Sequence, residues 1–197
     1  MQRRTLILSL IAVLAISAAA TWNLVHTVKE ASAPPPVVIG GPFRLVDHNA
    51  KPVTDADFRN RYMLIFFGYT YCPDVCPTAM LTVGGALDIL GKEASKVQPL
   101  FISVDPERDT PDVLNSFLKN FHPSIIGLTG SPEQVTAATK AYRVYSAKVK
   151  EDSDAEGEYL MNHTAGLYLM DPDGKFITMF SHNTTPEALA AKIRKYL

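Results

Sequence analysis

Apolar and polar positions alternate along the chain in three distinct ways. The first is one long run. After Arg3 and Arg4 no formally charged residue occurs before Lys29, and Thr5 to Ala20 is strongly apolar. Extended through Trp22, Leu24 and Val25, the run covers residues 5–25, close to the roughly 20 residues a helix needs to cross a bilayer. A transmembrane anchor over 5–25 is therefore expected, with residues 1–4 as a cytoplasmic N-terminus. The two arginines stay on the cytoplasmic side, so the rest of the chain is exported to the periplasm or an equivalent extracytoplasmic space. A cleaved signal peptide is the alternative, with its small-residue site at Ala18-Ala19-Ala20 or Ala31-Ser32-Ala33. Residues 26–42 hold Pro34-Pro35-Pro36 and Gly40-Gly41-Pro42, read as a stiff spacer, and residues 43–197 form the folded domain.

The second pattern is short and continuous. Tyr62 to Phe67 and Leu100 to Val104 are apolar runs rich in aromatic and branched residues, which marks strands buried on both faces. Ile125 to Thr129 and Thr164 to Met170 are further strands. Asp171-Pro172-Asp173-Gly174 is a hairpin turn leading to a partner over Phe176 to Phe180. Phe43 to Val46 and Lys51 to Val53 flank a turn and predict a small hairpin.

Helical spacing is the third pattern. Met80, Val83, Leu87 and Leu90 lie on one face of a helix that starts near Pro73. Leu114, Phe117, Leu118 and Phe121 line another, opened by Thr110 and Pro111 as N-cap and first helical residue. Ser131-Pro132-Glu133-Gln134 is a capping box for a third, ending near Tyr142. Thr185-Pro186 starts a last one, through Leu189, Ile193 and Leu197. Glu151 to Glu158 is acidic and read as an exposed loop. Strands alternating with helices require parallel pairing, and a late hairpin adds an antiparallel pair. This order predicts an α/β domain of thioredoxin-like type with inserted elements.

Composition removes several function classes. Of the 197 residues 47% are hydrophobic, enough for a real core, and 19 basic against 20 acidic residues leave no basic excess for nucleic acid. With only two cysteines, neither a disulfide-stapled mini-domain nor a four-thiolate zinc or iron–sulfur site can form in one chain.

Those two cysteines carry the chemistry. Cys72 and Cys76 sit four apart between a buried strand and a helix, in Cys72-Pro73-Asp74-Val75-Cys76-Pro77. A helix start near Pro73 puts both sulfurs on one side of the first turn, where the N-terminus favours thiolates. A disulfide closing so short a loop stabilises by only about 2 kcal/mol, so it is a poor staple and a better reversible couple. Two soft sulfurs select Cu(I), zinc or a cluster; structural zinc wants four ligands, whereas one imidazole completes a three-coordinate copper site. Among five histidines, His163 is the candidate, because in a thioredoxin-like fold its loop packs against the cysteine loop. His26, His48, His122 and His182 lie elsewhere. Tyr69 and Tyr71 are expected to pack at a strand end. Asp74 and Asp105 are either turn residues or tune the charge of the site.

The residues Phe66-Phe67-Gly68-Tyr69-Thr70-Tyr71-Cys72-Pro73-Asp74-Val75-Cys76-Pro77, then Phe101 through Asp105-Pro106-Glu107-Arg108-Asp109 to Pro111, then His163-Thr164, resemble the Sco (SenC) family of copper chaperones and cytochrome c oxidase assembly factors. The resemblance implies a thioredoxin-like domain on a membrane anchor. It implies copper, as Cu(I) or Cu(II), held by Cys72, Cys76 and His163. The implied partner is cytochrome c oxidase subunit II, whose binuclear copper centre would receive the metal or whose cysteines would be reduced by Cys72 and Cys76 as a redox-active pair. A periplasmic copper donor or thiol reductant would complete the cycle, and no nucleic acid is involved. Many family members carry aspartate where this chain has Asn162.

Three other readings use the same residues. A metal-free thiol-disulfide oxidoreductase needs one attacking and one resolving thiol. Val75-Cys76-Pro77-Thr78 resembles the peroxiredoxin nucleophile motif, but Pro73 stands where that family has threonine. A binding module without chemistry would leave the cysteines dispensable.

Overall fold

The computed structural model describes residues 2–31, 38–150 and 159–197. Two compact units separate, Met1–Val37 and Val38–Leu197. The first is one helix, α1 (Gln2–Ala31), and its side chains from Leu10 to His26 are all exposed. Among the described residues no helix is long and apolar enough to cross a membrane. The expected span over residues 5–25 is thus a helix without being a demonstrated span. The side chains of residues 5, 6 and 9 fall outside those described. Helix also replaces the start of the expected spacer, since α1 continues to Ala31. The proline stretch and the acidic stretch 151–158 lie outside the described residues.

In the second unit the strands are β1 (Arg44–Asp47), β2 (Pro52–Thr54), β3 (Tyr62–Gly68), β4 (Val97–Ser103), β5 (Ile126–Thr129), β6 (Ser146–Lys150), β7 (Tyr159–His163), β8 (Gly166–Met170) and β9 (Phe176–Ser181). Its helices are α2 (Val75–Leu90), α3 (Pro111–Leu118), α4 (Pro132–Ala141) and α5 (Pro186–Ile193). Among the described residues seven strands form one sheet in the order β2-β1-β5-β4-β3-β8-β9, while β6 and β7 pair only with each other.

Strands β3, β4 and β5 run parallel, whereas β8 and β1 join antiparallel on either side. Both faces of the centre are covered, which is why β3 is an uninterrupted apolar run: Ile65, Phe66, Phe67, Phe101 and Ile102 are wholly inaccessible. Pro99 lies within β4, yet pairing to β5 starts only at Leu100, so the missing N–H removes no bond on that side. Helix α2 buries Met80, Val83, Leu87 and Leu90, the face expected from spacing, and packs against α5. All three later helices begin as read from sequence. Thr110, Ser131 and Thr185 each accept a backbone N–H with proline in the first turn. The parallel β-α-β core followed by an antiparallel hairpin and a closing helix is the thioredoxin-like order.

Two strands were not expected. β6 and β7 form a hairpin with Ser146 opposite His163 and Lys150 opposite Tyr159. β6 is half-buried at best, so it shows no apolar run, and the histidine expected at the end of a loop is in fact the last residue of a strand.

Candidate metal and thiol site

The site sits where the parallel strands end. β3 closes at Gly68 beside Ser103 of β4, and the Val104 N–H donates to the Gly68 carbonyl at 2.8 Å. Between β3 and α2 the chain turns, with the Cys72 N–H donating to the Tyr69 carbonyl at 3.3 Å. Asp74 occupies the N-cap of α2 without a side-chain capping bond. The first turn of that helix therefore has free N–H groups, and one of them, from Cys76, donates to the Cys72 sulfur at 3.4 Å. The sulfur of Cys72 does what a capping oxygen does elsewhere.

Cys76 is fully buried and Cys72 partly so. Gly68 makes the room: a Cβ there would lie 2.9 Å from the Cys76 sulfur and 2.8–2.9 Å from the rings of Phe66 and Phe101. The pair loses its first proton from Cys72. The bond from the Cys76 thiol, helped by His163 and backbone N–H groups and opposed by burial, holds the Cys72 thiol down at about 3. Cys76, the donor in that bond and the more deeply buried sulfur, is pushed well above the ordinary thiol range.

His163 completes the group. Its Nδ1 lies 3.1 Å from the Thr164 carbonyl, which can only accept, so Nδ1 carries a proton and Nε2 is the nitrogen turned to the sulfurs. Nε2 is 3.6 Å from the Cys76 sulfur. The ring stands edge-on to Phe66 and Tyr69 at 6.0 and 5.9 Å, so packing fixes its plane. Ligand atoms of Cys72, Cys76 and His163 all lie within 4.8 Å of one another. Sulfur and nitrogen bound to one ion at about 2.3 and 2.0 Å stand about 3.7 Å apart in trigonal geometry, close to the spacing here. Two soft sulfurs and a neutral imidazole suit Cu(I); zinc would need a fourth ligand that the described residues do not supply at this cluster.

The other candidates resolve clearly. Tyr69 is buried and packs on the imidazole; burial pushes its phenol up. Tyr71 is exposed and lies under Arg108, 4.7 Å from its ring centroid. Asp74 takes a long bond from the Thr78 hydroxyl at 3.4 Å. Asp105 is buried, receiving Arg108 Nε at 2.5 Å and the Tyr159 hydroxyl at 2.7 Å. Asn162 is exposed, on the strand face opposite its neighbours, so its amide is turned away from the sulfurs. None of the remaining histidines joins the cluster. His26 stacks near Trp22, and His48 accepts the Gly127 N–H at 3.0 Å, tying the first hairpin to β5. His122 is 3.7 Å from Asp88, and His182 Nδ1 lies 3.0 Å from the Ala165 carbonyl. A groove of about 600 Å³ at Phe43, Arg44, Thr54 and Gln134 is lined by none of the three site residues.

Four residues without an expected role support the site. Gly68 gives the sulfur its space. Asp109, wholly buried, accepts the Thr70 N–H at 3.1 Å and the Thr70 and Ser103 hydroxyls at 2.6 Å each, bracing the cysteine loop. Arg108 and Tyr159 join β7 to the loop after β4. Arg108 and Asp109 were visible only as members of a resemblance motif; spacing gives a side chain near a strand end no particular role.

The SCO1/SenC family model matches residues 31–197. Protein sco1 of Schizosaccharomyces pombe is 43% identical over 159 residues, covering 80% of this chain and 60% of that protein. Protein SenC of Rhodobacter capsulatus is also 43% identical over 159 residues, covering 81% and 71%. The chain spans about half to two-thirds of the length of the eukaryotic relatives it matches. Among solved structures, Bradyrhizobium japonicum ScoI with copper bound superposes with a TM-score of 0.75 at 48% identity, covering 81% of this chain and 99% of that one. Yeast Sco1 with copper bound gives 0.74 at 38% identity, covering 81% and 88%.

Proposed function

The chain belongs to the SCO1/SenC family, and from that premise we propose that it carries copper for the assembly of cytochrome c oxidase. The observation that supports this most is the convergence of Cys72, Cys76 and His163 within 4.8 Å. Copper is the cargo. Two thiolates around Cu(I) carry a net charge of −1 and around Cu(II) are neutral, so the same side chains hold either state. Cys76 keeps its proton in the metal-free pair, so loading releases that proton and is favoured by rising pH. With three protein ligands and a partly exposed Cys72, an incoming ligand from the receiving protein can enter before the metal leaves. The receiver is cytochrome c oxidase subunit II, and a periplasmic protein supplies the copper.

Helix α1 holds the domain at the inner membrane, with the domain in the periplasm. Its described side chains from Leu10 to Val25 are exposed and nearly all apolar, an arrangement that seeks an apolar surround on every side. Retention of the full chain in membranes after alkaline carbonate supports the anchor; release counts against it.

Titration of the reduced full chain with Cu(I) tests the main reading. One equivalent is expected, with loss of at least about a hundredfold in affinity for His163→Ala, beyond the 10–100-fold typical of losing a ligand's supporting partner. Unchanged affinity removes the histidine from the site.

A second reading is favoured by the asymmetry of the thiols. Cys72 is the more exposed and is ionised at neutral pH. It would attack a partner's disulfide, releasing one partner thiolate and forming a mixed disulfide. Cys76 would then attack Cys72, releasing the second partner thiol. Two electrons pass to the partner, the Cys72–Cys76 disulfide remains, and an external thiol reductant restores it. Disulfide reduction by metal-free protein that survives His163→Ala supports this reading over the first.

A further inference from the structure

We propose that Arg108 is a positioning residue for His163, latching the β6–β7 hairpin onto the body of the domain. The inference rests on the copper-site reading above. Cys72 lies in the turn between β3 and α2 and Cys76 in the first turn of α2, but among the described residues His163 ends a hairpin that makes no ladder with the main sheet. At its base the arm is tied to the main sheet by the chain itself, which enters β8 at Gly166, and by His182 Nδ1 at the Ala165 carbonyl. Its own bonds there, Thr164 N–H to the Tyr145 carbonyl and Tyr145 N–H to the Thr164 hydroxyl, stay within the arm. Side chains hold the rest of the arm against the body.

Arg108 meets that need with three bodies at once. Its Nε binds buried Asp105 at 2.5 Å, and Asp105 in turn takes its own N–H bond to Ser103 at the end of β4. Its Nη1 donates to the Tyr159 carbonyl at 3.0 Å. Its plane lies 3.7 Å from the Tyr159 ring centroid and 4.7 Å from that of Tyr71, the residue before Cys72. The Tyr159 hydroxyl closes the circuit on the second oxygen of Asp105 at 2.7 Å. Only a planar fork can stack on rings while bonding a carboxylate and a carbonyl; an ammonium cannot. Among the described residues the ion pair to the arm, Lys148–Glu107, is half exposed and contributes little. Tyr159 opens β7 and His163 closes it, so the latch grips the strand about 13 Å from the imidazole at the usual rise per residue.

The test is a double-mutant cycle on the reduced full chain with Cu(I), with Cu(II) spectra beside it. Arg108→Ala is expected to weaken Cu(I) ten- to a hundredfold. Placed on His163→Ala it adds nothing, because the ligand it positions is already gone. The imidazole nitrogen coupling in the Cu(II) paramagnetic resonance spectrum is expected to fade in Arg108→Ala and not to return in Arg108→Lys. In metal-free protein, hydrogen exchange of residues 159–163 rises while that of β3 and β4 stays unchanged. Equal losses from Arg108→Ala with and without His163 would overturn the proposal, as would unchanged exchange in β7. If Arg108→Ala does not fold, Tyr159→Phe carries the same cycle with a smaller loss. Should His163→Ala itself leave copper affinity intact, the copper-site reading fails, while the exchange result still decides the latch.

Discussion

The domain places its two sulfurs and its imidazole on regions of opposite character. The sulfurs stand on the turn after β3 and the start of α2, against a core where Phe66, Phe101 and Cys76 are wholly inaccessible. The imidazole stands on a hairpin whose strand β6 is exposed over half its length and which is joined to the body chiefly by side chains. Cores packed to crystal density resist displacement; arms held by a few polar contacts open at lower cost. A site built across both sets fixed thiols beside a third ligand whose arm opens at lower cost, an arrangement the proposed copper transfer would use.

This contrast can be broken first at the body. Cys72→Ser or Cys76→Ser is expected to abolish single-equivalent Cu(I) binding in a competition titration, since one soft donor and an imidazole cannot hold the ion as two thiolates do. Gly68→Ala comes next. The added methyl meets two rings and a sulfur, and overpacking of this kind costs about 1–3 kcal/mol, read as a shift in denaturant midpoint together with weaker copper binding. Arm-side changes such as His163→Ala should lower copper affinity with little change in that midpoint. A body-side loss of stability from His163→Ala would erase the distinction.

Ionisation sharpens the picture at smaller scale. Alkylation of Cys72 by iodoacetamide in metal-free protein is expected to be near its plateau at pH 5, since its thiol titrates at about 3, while Cys76 stays unreactive. Burial pushes the Asp109 carboxyl up despite the Ser103 and Thr70 donors. From about pH 3.9, where an unfolded aspartate ionises, up to its raised folded value, the unfolded chain releases a proton that the folded chain keeps. Stability contributed there falls as pH rises through that window and is level above it. Asp109→Asn is expected to flatten this slope in pH-dependent unfolding. The smallest expected effect is Ser131→Ala, about 1 kcal/mol from a lost helix cap, with no change at the site.

Legibility in the sequence followed the same division. β3 and the buried face of α2 stood out as an apolar run and a helical spacing, and the caps at Thr110, Ser131 and Thr185 were readable from hydroxyl and proline. Cys72 and Cys76 were evident from type and spacing. The arm was hidden because Ser146-Ala147-Lys148-Val149-Lys150 alternates without being buried, so its pattern carries little apolar signal. Arg108 and Tyr159 escaped for a related reason: a latch between loop and strand is a tertiary arrangement with no period. His163 became a candidate through topology and through the resemblance carried by His163-Thr164, since a lone histidine has no periodic signal of its own.

X-ray absorption at the copper edge of the Cu(I)-loaded full chain tests the central claim most directly. Two sulfur scatterers and one imidazole nitrogen about a single ion are expected, with the nitrogen shell lost in His163→Ala. A first shell without sulfur, or one identical in that variant, would contradict the account.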